Sequence, residues 1–251
     1  MPIIQALDRA LRMLDLFDEQ TPEMKLTEIS ARMNLHKSTA HALLKTLQLH
    51  GYIEQDEQTG KYRLGLRLLE KGQLLLQNLD IRNVARPHLQ ALSDATGQTT
   101  HLLILDGREG VYIDKVEGPQ AAIRYSRIGR RVPLHSSAGG KVLAAFQPQD
   151  VLERILKNYP YVRHTPNTIH SEAEFRRELE EVRKNGCAFD REENEPGVCC
   201  VGAPIFGHDG QLMAAMSLSC MTARVDEKEA RRLAELVRRT AAEISARLGH
   251  R

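Results

Sequence analysis

The apolar residues of this chain change their period at Gly51. Before it, Ile4, Leu7, Leu11 and Leu14, then Ile29 and Met33, then Ala40, Leu43, Leu44 and Leu47 recur at the three- and four-residue spacing of helix faces. After it come Tyr52-Ile53-Glu54-Gln55 and Lys61-Tyr62-Arg63-Leu64, two extended runs around a turn-rich stretch, residues 56–60. Helix, helix, turn, helix and hairpin in this order predict a winged helix-turn-helix. The first helix is expected to end near residue 19, ahead of Thr21 and Pro22. Thr27 is expected to cap a second helix over 27–33, and Ser38 a third, with Asn34-Leu35-His36 as the turn and Gly51 as the stop.

The charges follow the same segment. No acidic residue lies between Glu28 and Glu54, whereas Arg32, His36, Lys37, His41, Lys45 and His50 all do, so a chain of net charge only +2 gathers basic surface locally. Lys37, His41, Lys45 and Gln48 are spaced 4, 4 and 3 apart, on the face opposite the leucines. On an arbitrary helix such a face is merely solvated. Between a turn and a hairpin it predicts a major-groove surface, with Lys37 and Lys45 on phosphates and Ser38, Thr39 and His41 nearer base edges. Lys61 and Arg63 of the hairpin read either as wing contacts to the DNA backbone or as plain solvated charges.

The remainder predicts an α+β chain. Residues 66–79 read as a helix, and Asp80 can cap another that runs to about residue 95, kinked or restarted by Pro87 and ended by Gly97. Strands are expected over 101–105, 111–116 and 121–125 as an antiparallel meander, then a helix after Ser137. Ser171 and Glu174 form a capping box for a helix to Lys184 that stops at Gly186. Strands over 187–190, 198–204 and 212–220 and a closing helix over 226–248 complete the pattern. The domains are therefore expected to be a winged helix-turn-helix with its following helix at 1–79, a linker helix at 80–96 and an antiparallel-sheet domain at 97–251. The longest apolar stretch, 198–206, contains Gly202 and Pro204 and is far shorter than the roughly 18 residues a membrane span needs. With no export signal, the expected location is the cytoplasm and no membrane partner is expected.

Catalytic signatures are missing: there is no G-x-S-x-G and no H-E-x-x-H, so the chain is not expected to be an enzyme. The four cysteines are not spaced as metal ligands, His135 stands alone, and neither metal nor cofactor is expected. Residues 134–141, LHSSAGGK, lack the Gly and Ser/Thr of a phosphate loop. They leave a small-residue turn feeding a helix, which either holds an anion on free amides or simply packs tightly under a sheet. In the strand over 212–220, alternation puts Ser217 and Ser219 on one face, and in the preceding strand Val198 and Cys200 share a face with Cys199 opposite. Alone, this pattern favours small core residues over a pocket. Glu192, Glu193 and Glu195 read as a solvated acidic loop, and Cys200 as the nucleophile of a rival redox-sensor or enzyme reading.

Four segments carry a resemblance that covers nearly the whole chain in order. IQALDRALRMLDLF, HKSTAHALLKTLQLHGYIEQDEQTGKYRLG, PLHSSAGGKVLAAF and DREENEPGVCCVGAP together resemble the IclR family of bacterial transcription regulators. Within it, GQTTHLLILDGREGVYI and YSRIGRR are most similar to regulators of sugar-acid catabolism. The resemblance implies a ligand-responsive repressor, a homodimer or homotetramer on double-stranded operator DNA, with a GAF-like C-terminal domain. It implies a small carboxylic-acid effector, a sugar acid or 2-oxo acid, held on the backbone amides of Ala138 and Gly139 and surrounded by Asp190, Val198, Cys200, Ser217 and Ser219. A bulky side chain at Gly139 is expected to block that site.

Overall fold

The computed structural model describes residues 3–18, 20–77, 80–120 and 126–250, the side chains of 75–77 and 80 excepted. It divides into two compact units, Met1–Asn78 and Leu79–Arg251.

In the first unit, α1 (Gln5–Leu14), α2 (Leu26–Met33) and α3 (Lys37–Leu49) enclose Met13, Ile29, Ala40 and Leu44. Ile53 of β2 (Ile53–Gln55) and Tyr62 of β3 (Tyr62–Leu64) close this core from the hairpin side, and α4 (Arg67–Gln77) follows. A two-residue strand, β1 (Glu23–Met24; strands number in chain order), pairs antiparallel with β3 and was not legible in the periodicity because it is too short to show alternation. The helix starts also differ from expectation. Thr27 lies inside α2, whose first turn is closed instead by Glu28, which accepts the Lys25 amide at 2.7 Å. Ser38 lies inside α3, where His36 takes the cap position. The first helix stops at Leu14 rather than near residue 19, and Asp18 Oδ1 turns the chain by accepting the amides of Gln20 and Thr21. Along α1, Ile4, Leu7 and Leu11 are 70%, 57% and 54% exposed, while Met13 does the burying. Of the stripe read from the sequence, Leu14 packs on this unit's core, whereas Ile4, Leu7 and Leu11 face solvent.

The second unit is three layers. Its sheet has the order β6-β5-β4-β9-β8-β7, all antiparallel, from β4 (Thr99–Asp106), β5 (Glu109–Val116), β6 (Arg131–Pro133), β7 (Ala188–Arg191), β8 (Val198–Phe206) and β9 (Leu212–Met221). On one side, α5 (Asp80–Thr96) and α9 (Glu227–Arg247) bury Leu89, Leu233, Val237 and Ile244 against Leu102, Val201, Met216 and Leu218. On the other, α6 (Ala138–Ala145), α7 (Gln149–Leu156) and α8 (Glu172–Asn185) bury Val142, Leu152, Phe175 and Leu179 against Leu103 and Ala215. The alternation in β9 is therefore realised, Met216 and Leu218 on one face and Ala215 on the other.

Several expectations change here. The helix over 80–96 runs through Pro87 without restarting and lies inside the second unit, with Ile81, Ala85, Leu89 and Leu92 in its core. Arg82 and Arg86 tie it to the buried Asp114 of β5. The cap assigned to Asp80 and the strand assigned to 121–125 lie outside the described residues. The sheet is not a plain meander, because β4 pairs with β9 as well as with β5. The helices expected after Ser137 and over 226–248 form as α6 and α9, and Ser137 and Asp226 cap them by accepting the amides of Gly140 and Glu229. At α8 the box is half formed: Ser171 accepts the Glu174 amide at 3.4 Å, while Glu174 reaches the amide of His170 instead of Ser171.

Candidate nucleic-acid interface and effector site

The first unit presents α3 to solvent. Lys37, Ser38, Thr39, His41 and Lys45 are all exposed, and Ala40 and Leu44 anchor the opposite side of the helix in the core. Lys45 Nζ bonds Gln48 Oε1 at 3.4 Å along the same face. The hairpin cations are already paired: Lys61 with Glu23 of β1, and Arg63 with Glu54 at 3.2 Å.

The second unit brings the predicted effector residues to one sheet face. The register aligns Asp190 with Cys200, Cys200 with Ser219, and Ser219 with Thr99, one row across four strands. The neighbouring row runs from Gly202 to Ser217, His101 and Lys115. Val198 completes the patch, packed with Cys200 against Ala138. Above the rows sits the start of α6. A Cβ at Gly202 would lie 3.0 Å from the Ala138 carbonyl and 3.1 Å from the Gly139 nitrogen, so any side chain there would press the turn a few tenths of an ångström off β8. Ser137 takes the Gly140 amide at 3.1 Å and its carbonyl takes the Lys141 amide at 2.9 Å. That leaves the Ala138 and Gly139 amides without an acceptor among the described residues, as the first N–H groups of a helix are unless something outside it binds them.

The face holds more polar capacity than its own contacts use. Thr99 Oγ1 and His101 Nδ1 are buried without a hydrogen-bond partner among the described residues. His101 Nε2 bonds Ser126 Oγ at 2.8 Å, and its ring lies 4.7 Å from that of Tyr112. Burial, assisted by the Lys115 ammonium, holds the imidazole neutral with its pKa down to about 3. Asp190 Oδ1 accepts the amides of Glu193 and Asn194 at 2.7 and 3.3 Å, yet burial outweighs these bonds and pushes its carboxyl up to about 7. Cys200 Sγ contacts Ser219 Oγ at 3.1 Å, and burial raises this thiol well above its ordinary value. A thiol so shifted is a poor nucleophile, and it gives the rival reading built on Cys200 no support. His101 and Ser126 resemble two members of a hydrolytic triad, but the Nδ1 position that would take an orienting carboxylate has no partner among the described residues.

Thr99, His101 and Tyr112 lie within GQTTHLLILDGREGVYI, a segment that carries the resemblance without implying a role for them. A polar pair at Thr99 and His101, two apart like Ser217 and Ser219, was the available signal. Two further expectations are corrected. Glu193 is not part of a solvated loop; it is buried and bonds Lys141 Nζ at 2.7 Å, with Glu178 at 3.0 Å and the Phe189 carbonyl at 2.8 Å on the same ammonium. At Gly139 a Cβ would point at Leu103, 2.8 Å away, so a bulky substitution would disrupt the core rather than simply plug the site. His135 is fully engaged, with Nδ1 on Tyr159 OH and Nε2 on the Val162 carbonyl.

A helix-turn-helix with a basic exposed helix, joined to a sheet domain carrying a buried polar face with unpaired atoms among the described residues, defines a ligand-responsive DNA-binding transcriptional regulator. Residues 6–57 match the family model described as IclR helix-turn-helix domain, and residues 73–246 that described as Bacterial transcriptional regulator IclR C-terminal. The chain belongs to the IclR family. It is 51% identical over 250 residues to the HTH-type transcriptional regulator XynR of Escherichia coli (strain K12), covering 100% of this chain and 99% of that protein. The crystal structure of Thermotoga maritima IclR, 37% identical, matches with a TM-score of 0.77 over 99% of this chain and 100% of that one. An IclR homolog from Microbacterium hydrocarbonoxydans, crystallised with 4-hydroxybenzoate, is 28% identical with a TM-score of 0.82, over 97% and 98% of the two chains. Among the described residues no helix is long and apolar enough to cross a membrane.

Proposed function

We propose that this regulator is a cytoplasmic repressor of carboxylic-acid catabolism whose effector, a sugar acid or 2-oxo acid, binds beneath the start of α6. The carboxylate rests on the Ala138 and Gly139 amides. Ser217, Ser219 and Thr99 meet its hydroxyl or oxo oxygens, Asp190 lies at one end of the row, and Val198 and Cys200 bound the apolar side. The observation that carries this reading is the pair of orphaned atoms, Thr99 Oγ1 and His101 Nδ1, buried beside those residues, because unsatisfied buried polar groups are costly and a ligand would satisfy them. A small aromatic acid in the Microbacterium homolog supports the class of ligand. Residues 1–79 bind operator DNA and 97–251 bind effector, and the helix over 80–96, which follows the first in sequence, belongs to the core of the second. An acid that favours one arrangement of the homodimer or homotetramer changes operator affinity by linkage.

Calorimetric titration with a panel of sugar acids and 2-oxo acids tests the site. Ser217→Ala and Ser219→Ala should each cost about 1–2 kcal/mol, or roughly 5- to 30-fold in affinity, while operator binding without ligand is unchanged. Wild-type affinity in both variants would move the effector elsewhere.

The DNA face makes a separate prediction. Lys45→Ala should weaken operator and random DNA alike and flatten the salt dependence by about one unit per protomer, because it removes a phosphate contact. Thr39→Ala should instead erode the preference for operator over random DNA, without moving the salt slope. Identical behaviour of the two variants in gel-shift titrations at several salt concentrations would show that α3 is misassigned.

A further inference from the structure

The sheet face opposite the effector site carries a second chemistry. Cys199 and Cys220 are directly opposed in the β8–β9 register, and their sulfurs lie 3.1 Å apart, although both thiols are free. Opposed residues of an antiparallel ladder have Cα atoms about 4.5–5.5 Å apart, within the window of about 4.4–6.8 Å that a disulfide spans. The pair lines a cavity of about 320 Å³ with Phe189, Val225 and Leu233, and half-buried Cys199 gives small solutes a way in. The Cys220 thiol hydrogen-bonds to Cys199 and lowers the pKa of Cys199, while that of Cys220 is raised. Half-buried Cys199 is the sulfur that a small oxidant entering the cavity meets, and fully buried Cys220 stands against it as the resolving thiol. Cys200, on the other face, and Cys187, whose thiol burial pushes up, have no such partner among the described residues.

We propose that Cys199 and Cys220 form a dithiol site that hydroperoxides convert to a cross-strand disulfide. The Cys199 thiolate attacks one peroxide oxygen, the O–O bond breaks, and the departing hydroxide takes up the proton released by the thiol. The resulting Cys199 sulfenic acid is attacked by Cys220, which forms the S–S bond and expels the sulfenic oxygen as water. Two thiols lose two electrons in total, and one hydrogen peroxide becomes two waters.

The test uses the full-length protein treated with hydrogen peroxide, then denatured, alkylated and mapped by peptide mass spectrometry. The expected product is a Cys199–Cys220 linked peptide that dithiothreitol reverses, with Cys187 and Cys200 still alkylated. Four alkylated cysteines at a peroxide dose that oxidises glutathione, or oxidation that begins at Cys187 or Cys200, would overturn the proposal. Cys220→Ser should leave a Cys199 sulfenic acid that dimedone traps. If that variant does not fold, Cys199→Ala serves: Cys220 should stay reduced in it, and its oxidation alone would equally reject the site.

Discussion

Replacing Leu7 and Leu11 together by Glu should dissociate the proposed homodimer or homotetramer and lower operator affinity by at least 100-fold, with the first unit still folded. Both side chains are more than half exposed on α1, in line with Ile4, and the core beneath them rests on Met13 and Phe17 instead. Exposed substitutions of this kind cost within about 0.5 kcal/mol of stability, so the helix signal and melting transition should persist. An apolar stripe left on the surface of a unit is what an interface between copies would cover. Two half-sites read by linked copies gain about 10²–10⁴ over one, and separating the copies forfeits that gain. Sedimentation and operator titration on the same variant check both halves. Intact assembly with lost affinity would assign α1 to DNA, and wild-type behaviour in both would leave the stripe without a role.

Binding of a carboxylate effector should weaken as pH rises through about 7. The groups around Asp190 set the sign: burial raises its pKa to about 7, the Glu193 carboxylate adds to this, and the Glu193 and Asn194 amides and the Lys141 ammonium oppose it. A second carboxylate brought to the same face raises the pKa further, so binding takes up a proton above pH 7 and affinity falls by as much as tenfold per unit. Asp190→Asn should bind with no such slope. Stability follows the same group. The folded pKa is raised above the unfolded value of 3.8, so the folded state holds a proton that the unfolded state has lost between about pH 4 and 7. Stability should therefore fall as pH rises across that window and level off above it. Relative to the Asn variant, the wild type should lose on the order of 4 kcal/mol between pH 4 and 8, three units at about 1.4 kcal/mol each. Urea unfolding at the two pH values reads this difference, and an equal slope in Asp190→Asn would trace it to another group.

The helical faces and the wing were legible because each repeats over enough residues to fix a period. Ala40, Leu44 and Ile53 are buried as their spacing required. Ser217 and Ser219 were legible as a shared face for the same reason, but not as neighbours of Thr99 and His101. That adjacency depends on β4 pairing with β9, a long-range choice that local alternation does not encode. Lys141 and Glu193 were misread in opposite ways, as part of a small-residue turn and as a solvated acid. Charge type suggests exposure, and only the packing of α6 against the loop after β7 shows that the two neutralise each other. The helix caps failed at Thr27 and Ser38, where a preferred residue type stood one or two positions inside a start that other residues set.

The buried Lys141 ammonium divides the labour of the effector face. It binds Glu178 of α8, Glu193 after Asp190 and the Phe189 carbonyl of β7 while standing on α6, the helix whose first amides face the sheet. The mounting for an acid group and the carboxyl at the far end of the row are thereby fixed by one cation that takes no part in lining the face. Breaking a buried pair of this kind costs about 3–5 kcal/mol, so the frame resists change. The hydroxyls at 99, 217 and 219 are held only by their strands. A lineage could exchange them one at a time, keep the same grip on a carboxylate, and come to respond to a different carbon skeleton.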